Sequence, residues 1–213
     1  RPYQFCNLSE VVVRVTDDLK SLSNKVRLAT IIGTLQSTLT KFPYLRKVWQ
    51  NNTEEERLLG VSLTGIMDNP LLTTKNKGLA QMLDHLRHVA IDTNKEWSER
   101  LGVQQSTAIT CVKPSGTVSQ LVDSASGIHA RHSPYYYRTV RGDNKDPITQ
   151  FMKDQGIPSE LCVGKPHTTT VFTFPVAAPK NAVTRDDMTA IEQLEMWLTY
   201  QRHWCEHKPS VTI

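Results

Sequence analysis

The stretch Lys113-Pro114-Ser115-Gly116-Thr117-Val118-Ser119 carries the residue types that hold a small anion. A glycine lets the backbone come close to a ligand, the hydroxyls of Ser115, Thr117 and Ser119 can donate, and the free N–H groups of a helix beginning here would point at a phosphate. The plain alternative is a strand-to-helix turn, because short Ser/Gly/Thr turns are common. The spacing is not that of a Walker loop, since the four-residue gap and the Gly-Lys-Ser/Thr ending are missing. Cys6, in Tyr3-Gln4-Phe5-Cys6-Asn7-Leu8-Ser9-Glu10, stands directly before an apolar run. By itself it reads as a small buried apolar residue or as a redox thiol, and the second role needs a partner cysteine within disulfide reach. No other cysteine is near it in sequence.

Two further groups invite attention. His203, Cys205 and His207 alternate in a way that would align three metal ligands on a strand, but the residues before them have helical spacing. Two-residue steps on a helix diverge by ~200°, and tetrahedral zinc sites use other spacings, so a helix C-terminus is the expectation and no metal site is assigned. His129, Arg131 and His132, followed by Pro134-Tyr135-Tyr136-Tyr137-Arg138, combine cationic and aromatic groups suited to a phosphorylated or ring-bearing ligand. A surface loop leading into a half-buried strand explains them equally well.

These residues need elements to position them. Apolar residues recur with helical spacing at Leu19, Leu22, Val26, Ala29, Ile32, Leu35 and Leu39, with Thr16 and Asp17 as caps and Phe42-Pro43 as the stop. The same spacing runs from Leu79 to Trp97 and from Met188 to Leu198. Between lie β-prone runs at Leu8–Val15, Leu58–Ile66, Thr107–Val112, Tyr135–Val140, Thr168–Phe174 and Val211–Ile213. Strands alternating with helices predict parallel strands with helical crossovers in an α/β fold, with active groups at the carboxyl ends of strands. No repeat or linker is visible.

The composition narrows the function classes. The chain has 213 residues, 38% hydrophobic and 22% charged, a globular balance. A net charge of +4 spread along the chain excludes a footprint built for a nucleic-acid polymer. The 4 cysteines are far apart, which argues against a disulfide framework and for cytosolic thiols. No long apolar run or leader pattern is present, so a soluble, cytoplasmic protein without a membrane partner is expected. The opening Arg1-Pro2-Tyr3 and closing Ser210-Val211-Thr212-Ile213 read as cuts within a larger protein.

Taken together, Phe5-Cys6-Asn7-Leu8-Ser9-Glu10-Val11-Val12, Arg57-Leu58-Leu59-Gly60-Val61-Ser62-Leu63-Thr64-Gly65-Ile66-Met67-Asp68, and the turn from Lys113 to Ser119 with Ser126-Gly127-Ile128-His129 behind it resemble the large subunits of ribonucleotide reductases, in that family's order. The wording is similar to the adenosylcobalamin-dependent ribonucleoside-triphosphate reductases, with Cys-Asn-Leu-Ser-Glu tipping the balance to that class. The resemblance implies part of a ten-stranded α/β barrel, here a partial catalytic domain over 1–213 truncated at both ends. It also implies that Cys6 is one of two reducing cysteines, and that Pro114, Ser115, Gly116, Thr117 and Val118 hold the substrate phosphates. Adenosylcobalamin as cofactor, a ribonucleoside triphosphate as substrate and a thioredoxin-type dithiol as reductant follow from the same resemblance.

The family's radical-bearing loop, the partner of Cys6 and a C-terminal cysteine pair are absent from these residues. The chain alone is therefore expected not to reduce ribonucleotides, and to work with the rest of a reductase chain or a complementary fragment. A natural split subunit and a non-catalytic phosphate-binding module are the competing readings.

Overall fold

The structure, a computed structural model, describes residues 2–212. It divides into two compact units, where the sequence reading expected one partial barrel domain without a linker. One unit comprises the chain up to Arg131 and again from Lys180; the other is His132–Pro179. No helix among the described residues is long and apolar enough to cross a membrane.

The larger unit is built on a parallel sheet in the order β1 (Asn7–Val12), β2 (Leu59–Thr64), β3 (Thr110–Cys111). Parallel neighbours require long crossovers. Helices α1 (Leu19–Gln36) and α2 (Lys47–Glu56) carry the first, and α3 (Leu79–Leu101) carries the second. Alternation along the strands sends Val11, Leu59, Val61 and Leu63 into a core shared with Leu22 and Val26 of α1 and Leu83 and Leu86 of α3. This α/β order is the expected one. The edge strand β1 has a strand neighbour on one side, whereas the outer side of β3 is covered by the segment after α6 (Ala190–His203): Glu206 and His207 donate to the Thr110 carbonyl, and Ser210 to that of Val112.

Capping differs from expectation by one residue. The N-cap of α1 is Asp18, which accepts from the Ser21 amide at 2.7 Å while its own amide donates to Ser21 Oγ at 3.0 Å. Asp17 is buried instead, bonded to the Arg14 amide and paired with Lys25. The helix stops at Gln36, well before Phe42-Pro43, because the Thr38 and Leu39 amides switch to tighter three-residue turns. Of the apolar positions read along this segment, Leu22, Val26 and Ala29 are buried, while Leu19, Ile32, Leu35 and, beyond the end of the helix, Leu39 are exposed. In α6, Thr189 and Glu192 form a capping box, and Met196 and Tyr200 are buried.

The smaller unit departs from the parallel expectation. Strand β4 (Tyr135–Asp143) pairs antiparallel with β6 (Thr169–Ala177), and β5 (Ser159–Leu161) pairs antiparallel with β6 on its other side. Strands β4 and β5 both run antiparallel to β6 and so parallel to each other, with the 8-residue α5 (Pro147–Asp154) in the connection between them and β6 in the middle of the sheet. Val211 and Thr212 form no strand, and Ile213 lies outside the described residues.

Candidate functional site

The face of the parallel sheet turned away from α1 carries Leu8 and Glu10 of β1, Gly60 and Ser62 of β2, and Cys111 of β3. The register pairs Leu8 with Gly60, Glu10 with Ser62, and Ser62 with Cys111. A groove of about 410 Å³ lies on this face, walled by the run Lys113 to Val118 on one side and Leu8 to Glu10 on the other. Its turn wall follows the carboxyl end of β3, whereas Leu8–Glu10 and Ser62 are positions within β1 and β2. The helix α4 (Gly116–Leu121) begins within this wall.

All five residues of the expected phosphate turn line the groove. Ser115 is buried, and its hydroxyl donates to Glu10 Oε2 at 2.7 Å. The Ser62 hydroxyl lies 3.4 Å from Glu10 Oε1 and accepts the Lys113 amide at 3.0 Å. The amides of Gly116, Thr117 and Val118 open α4, where a helix leaves N–H groups without intrahelical partners. A Cβ added at Gly116 would meet nothing within 4 Å.

Cys6 precedes β1 and is half-buried. The position a Cβ on Gly60 would take lies 2.4 Å from Leu8 Cδ2, 3.0 Å from Cys6 Sγ and 3.3 Å from Cys111 Sγ. The missing side chain thus makes a hollow in which two thiols from distant parts of the sequence converge. Burial pushes the Cys6 thiol up, with the Lys113 charge opposing. Burial likewise pushes Cys111 up to about 12, again opposed by Lys113. Both stay protonated at neutral pH and are poor nucleophiles in that form. The Glu10 carboxyl is raised by burial, against the hydrogen bonds from Ser115 and Ser62.

The other sequence candidates fall elsewhere. Arg131 is buried and holds Asp68 with two bonds of 2.8 and 2.9 Å. Asp68 also accepts the Ala125 amide, and Thr64 Oγ1 bridges the Ala125 carbonyl and the Gly127 amide. Arg131 therefore pins the loop beyond α4 to the end of β2 and is structural. His129 accepts the Thr212 amide on Nε2, so Nδ1 carries the hydrogen and donates to the Ser126 carbonyl. His132, Tyr135–Tyr137 and Arg138 belong to the smaller unit. His203 pairs with Asp84, His207 with the Leu59 carbonyl, and no metal-binding group occurs among the described residues.

Sequence reasoning assigned no role to Glu10, Ser62 and Lys113, which line the groove, or to Cys111, which meets Cys6 at Gly60. Glu10 had one available signal: it stands four residues after Cys6, on the same side of an alternating strand. The convergence of Cys111 on Cys6 had none, because it depends on a glycine in the intervening strand.

No profile of a known protein family matches the chain. Among curated proteins it is 32% identical, over 78% of its length, to an adenosylcobalamin-dependent ribonucleoside-triphosphate reductase of Euglena gracilis, and covers 23% of that protein. It is 26% identical, over 98% of its length, to the enzyme of that name from Lactobacillus delbrueckii subsp. bulgaricus, covering 32% of it. Its fold matches the crystal structure of a B12-dependent class II ribonucleotide reductase with a TM-score of 0.80 and 25% identity, across 99% of this chain and 33% of the other. The chain spans a third or less of the length of these relatives.

Proposed function

We propose, from the premise that this chain is a relative of the adenosylcobalamin-dependent ribonucleotide reductases in both sequence and fold, that it is a segment of such a reductase supplying a reducing thiol and the substrate-phosphate turn. The observation that carries this reading is one groove joining the turn at Pro114–Val118 to the strand that follows Cys6. Two elements far apart in sequence are brought to one face, as a nucleotide spanning phosphate and ribose requires.

The substrate is a ribonucleoside triphosphate. Its phosphates lie against the turn, where the N–H groups opening α4 and the Lys113 charge favour an anion. Its ribose lies toward Cys6. Two thiols, Cys6 and a second one, each lose a hydrogen; the C2′–O bond breaks, the oxygen leaves as water, C2′ gains hydrogen, and the sulfurs join as a disulfide. A thioredoxin-type dithiol then reduces that disulfide by exchange. Burial serves this chemistry by keeping Cys6 an S–H donor rather than a thiolate.

Adenosylcobalamin supplies the initiating radical when bound to such enzymes. The groove is of the size that takes a drug-sized ligand, and no residue of this chain is assigned to the cofactor. Reduction is accordingly proposed for the chain together with the rest of a reductase or a complementary fragment, in the cytoplasm, and not for the chain alone.

The test is an assay with adenosylcobalamin, a ribonucleoside triphosphate and a dithiol, using the chain alone and then mixed with the matching upstream fragment. Activity in the mixture, abolished by Cys6→Ser, supports the reading. A folded mixture with no activity, or one indifferent to Cys6→Ser, overturns it in favour of a binding module.

A further inference from the structure

Ser115 would be expected to offer a hydrogen to a ligand, yet that hydrogen is already donated to Glu10, 2.7 Å away. A hydroxyl has one hydrogen to give. Through its other oxygen Glu10 also meets Ser62, which holds the Lys113 amide. One carboxylate therefore ties β1, β2 and both ends of the turn after β3, and it lines the same groove as Pro114–Val118. An anion resting on that turn meets a negative charge, and like charges sharing a site raise the cost of keeping both ionised.

We infer that Glu10 is a positioning residue that takes up a proton when a phosphate-bearing ligand binds, its acid form donating to a ligand oxygen while Ser115 is released to do the same. The proton comes from solvent, and no other bond changes. This rests on the reading of the turn as the phosphate site.

The surroundings of Glu10 define the balance. The hydrogen bonds from Ser115 and Ser62 favour the carboxylate, and Lys113 lines the same groove. Cys111 of β3 and Cys6 before β1 are thiols kept neutral by burial. From α1, Lys25 reaches β1 at the Val12 carbonyl and is paired with Asp17. Burial already favours the acid form of Glu10, so a second negative charge acts on a group leaning toward protonation. A carboxylic acid held neutral to donate a hydrogen bond is an established device.

The experiment is calorimetric titration of the chain with CTP, in buffers of different ionisation heat, for wild type, Glu10→Gln and Ser115→Ala. The terminal phosphate of the probe itself titrates near about pH 6, so differences between proteins are read. The wild type should take up more protons than Glu10→Gln. Its affinity relative to that variant should fall by up to about tenfold per pH unit between the free and bound titrations of Glu10, converging at low pH. Ser115→Ala removes a bond favouring the carboxylate and should move the onset of uptake to higher pH, which a merely structural Glu10 would not do. Equal uptake by wild type and Glu10→Gln overturns the inference and leaves the phosphate site standing. Failure of folded wild type to bind CTP at any pH overturns the phosphate-site reading and this inference with it.

Discussion

Two glycines, one on the sheet face beside the groove and one in its wall, answer to different demands. At Gly60 an added Cβ would sit 2.4 Å from Leu8 and against the sulfurs of Cys6 and Cys111, so the protein's own packing requires the residue. At Gly116 an added Cβ would meet no protein atom within 4 Å, and the backbone is not left-handed. Nothing inside the chain requires that glycine. The sheet face beside the groove is thus constrained by the protein's own packing at Gly60, while the turn at Gly116 is not.

The largest effect expected on the folding side of this contrast comes from Asp68→Ala. It leaves the Arg131 guanidinium buried without its two-bond partner and should cost about 3–5 kcal/mol, read from the denaturant midpoint. A loss below about 1 kcal/mol, the range of an exposed pair, would show that the loop over β2 is not held this way. Next comes Gly60→Val, which overfills the hollow and should cost about 1–3 kcal/mol; it should also displace Cys6, measured as faster alkylation of that thiol.

Gly116→Ala sharpens the contrast from the other side. Its stability should stay within about 0.5 kcal/mol of wild type, while CTP binding weakens several-fold. If stability falls and binding does not, the contrast is reversed and the turn is a packing element. The smallest effect belongs to Glu10→Gln. Burial raises the folded-state titration of Glu10 above its unfolded value, so its favourable contribution is complete below the unfolded pKa and is lost as pH rises through the folded one. The variant should therefore be the more stable protein at neutral pH, by less than about 1 kcal/mol because a half-exposed charge is screened by water. The difference should vanish in acid, as urea titrations across pH would reveal.

The local grammar of the chain was legible. Helical spacing located α1, α3 and α6, and alternating helices and strands foretold the parallel order of β1, β2 and β3. The run at Pro114–Val118 was placed correctly after a strand, and its last three residues, Gly116 to Val118, form the first turn of α4. Long-range pairing was not legible. Arg131 looked like a ligand-facing cation because its partner Asp68 stands 63 positions away, and Ser115 looked free because Glu10 stands 105 positions away. The antiparallel unit was hidden for a related reason: β-prone runs show where strands form, while their direction depends on which strand each one pairs with, and β6 seats itself between β4 and β5. Even the early end of α1 reflects competition between three- and four-residue hydrogen bonds, which apolar spacing does not register.

The two edges of the parallel sheet are unequal. The outer side of β3 is sealed by the amides of Glu206, His207 and Ser210, but among the described residues β1 has a strand neighbour on one side alone. The sheet is therefore a one-way template: any further strand must be added beside Asn7–Val12, next to Cys6 and Glu10, and cannot be added at the opposite margin. Because Leu8 to Glu10 of β1 also wall the groove, a strand added there and a ligand in the groove would share β1 as a neighbour.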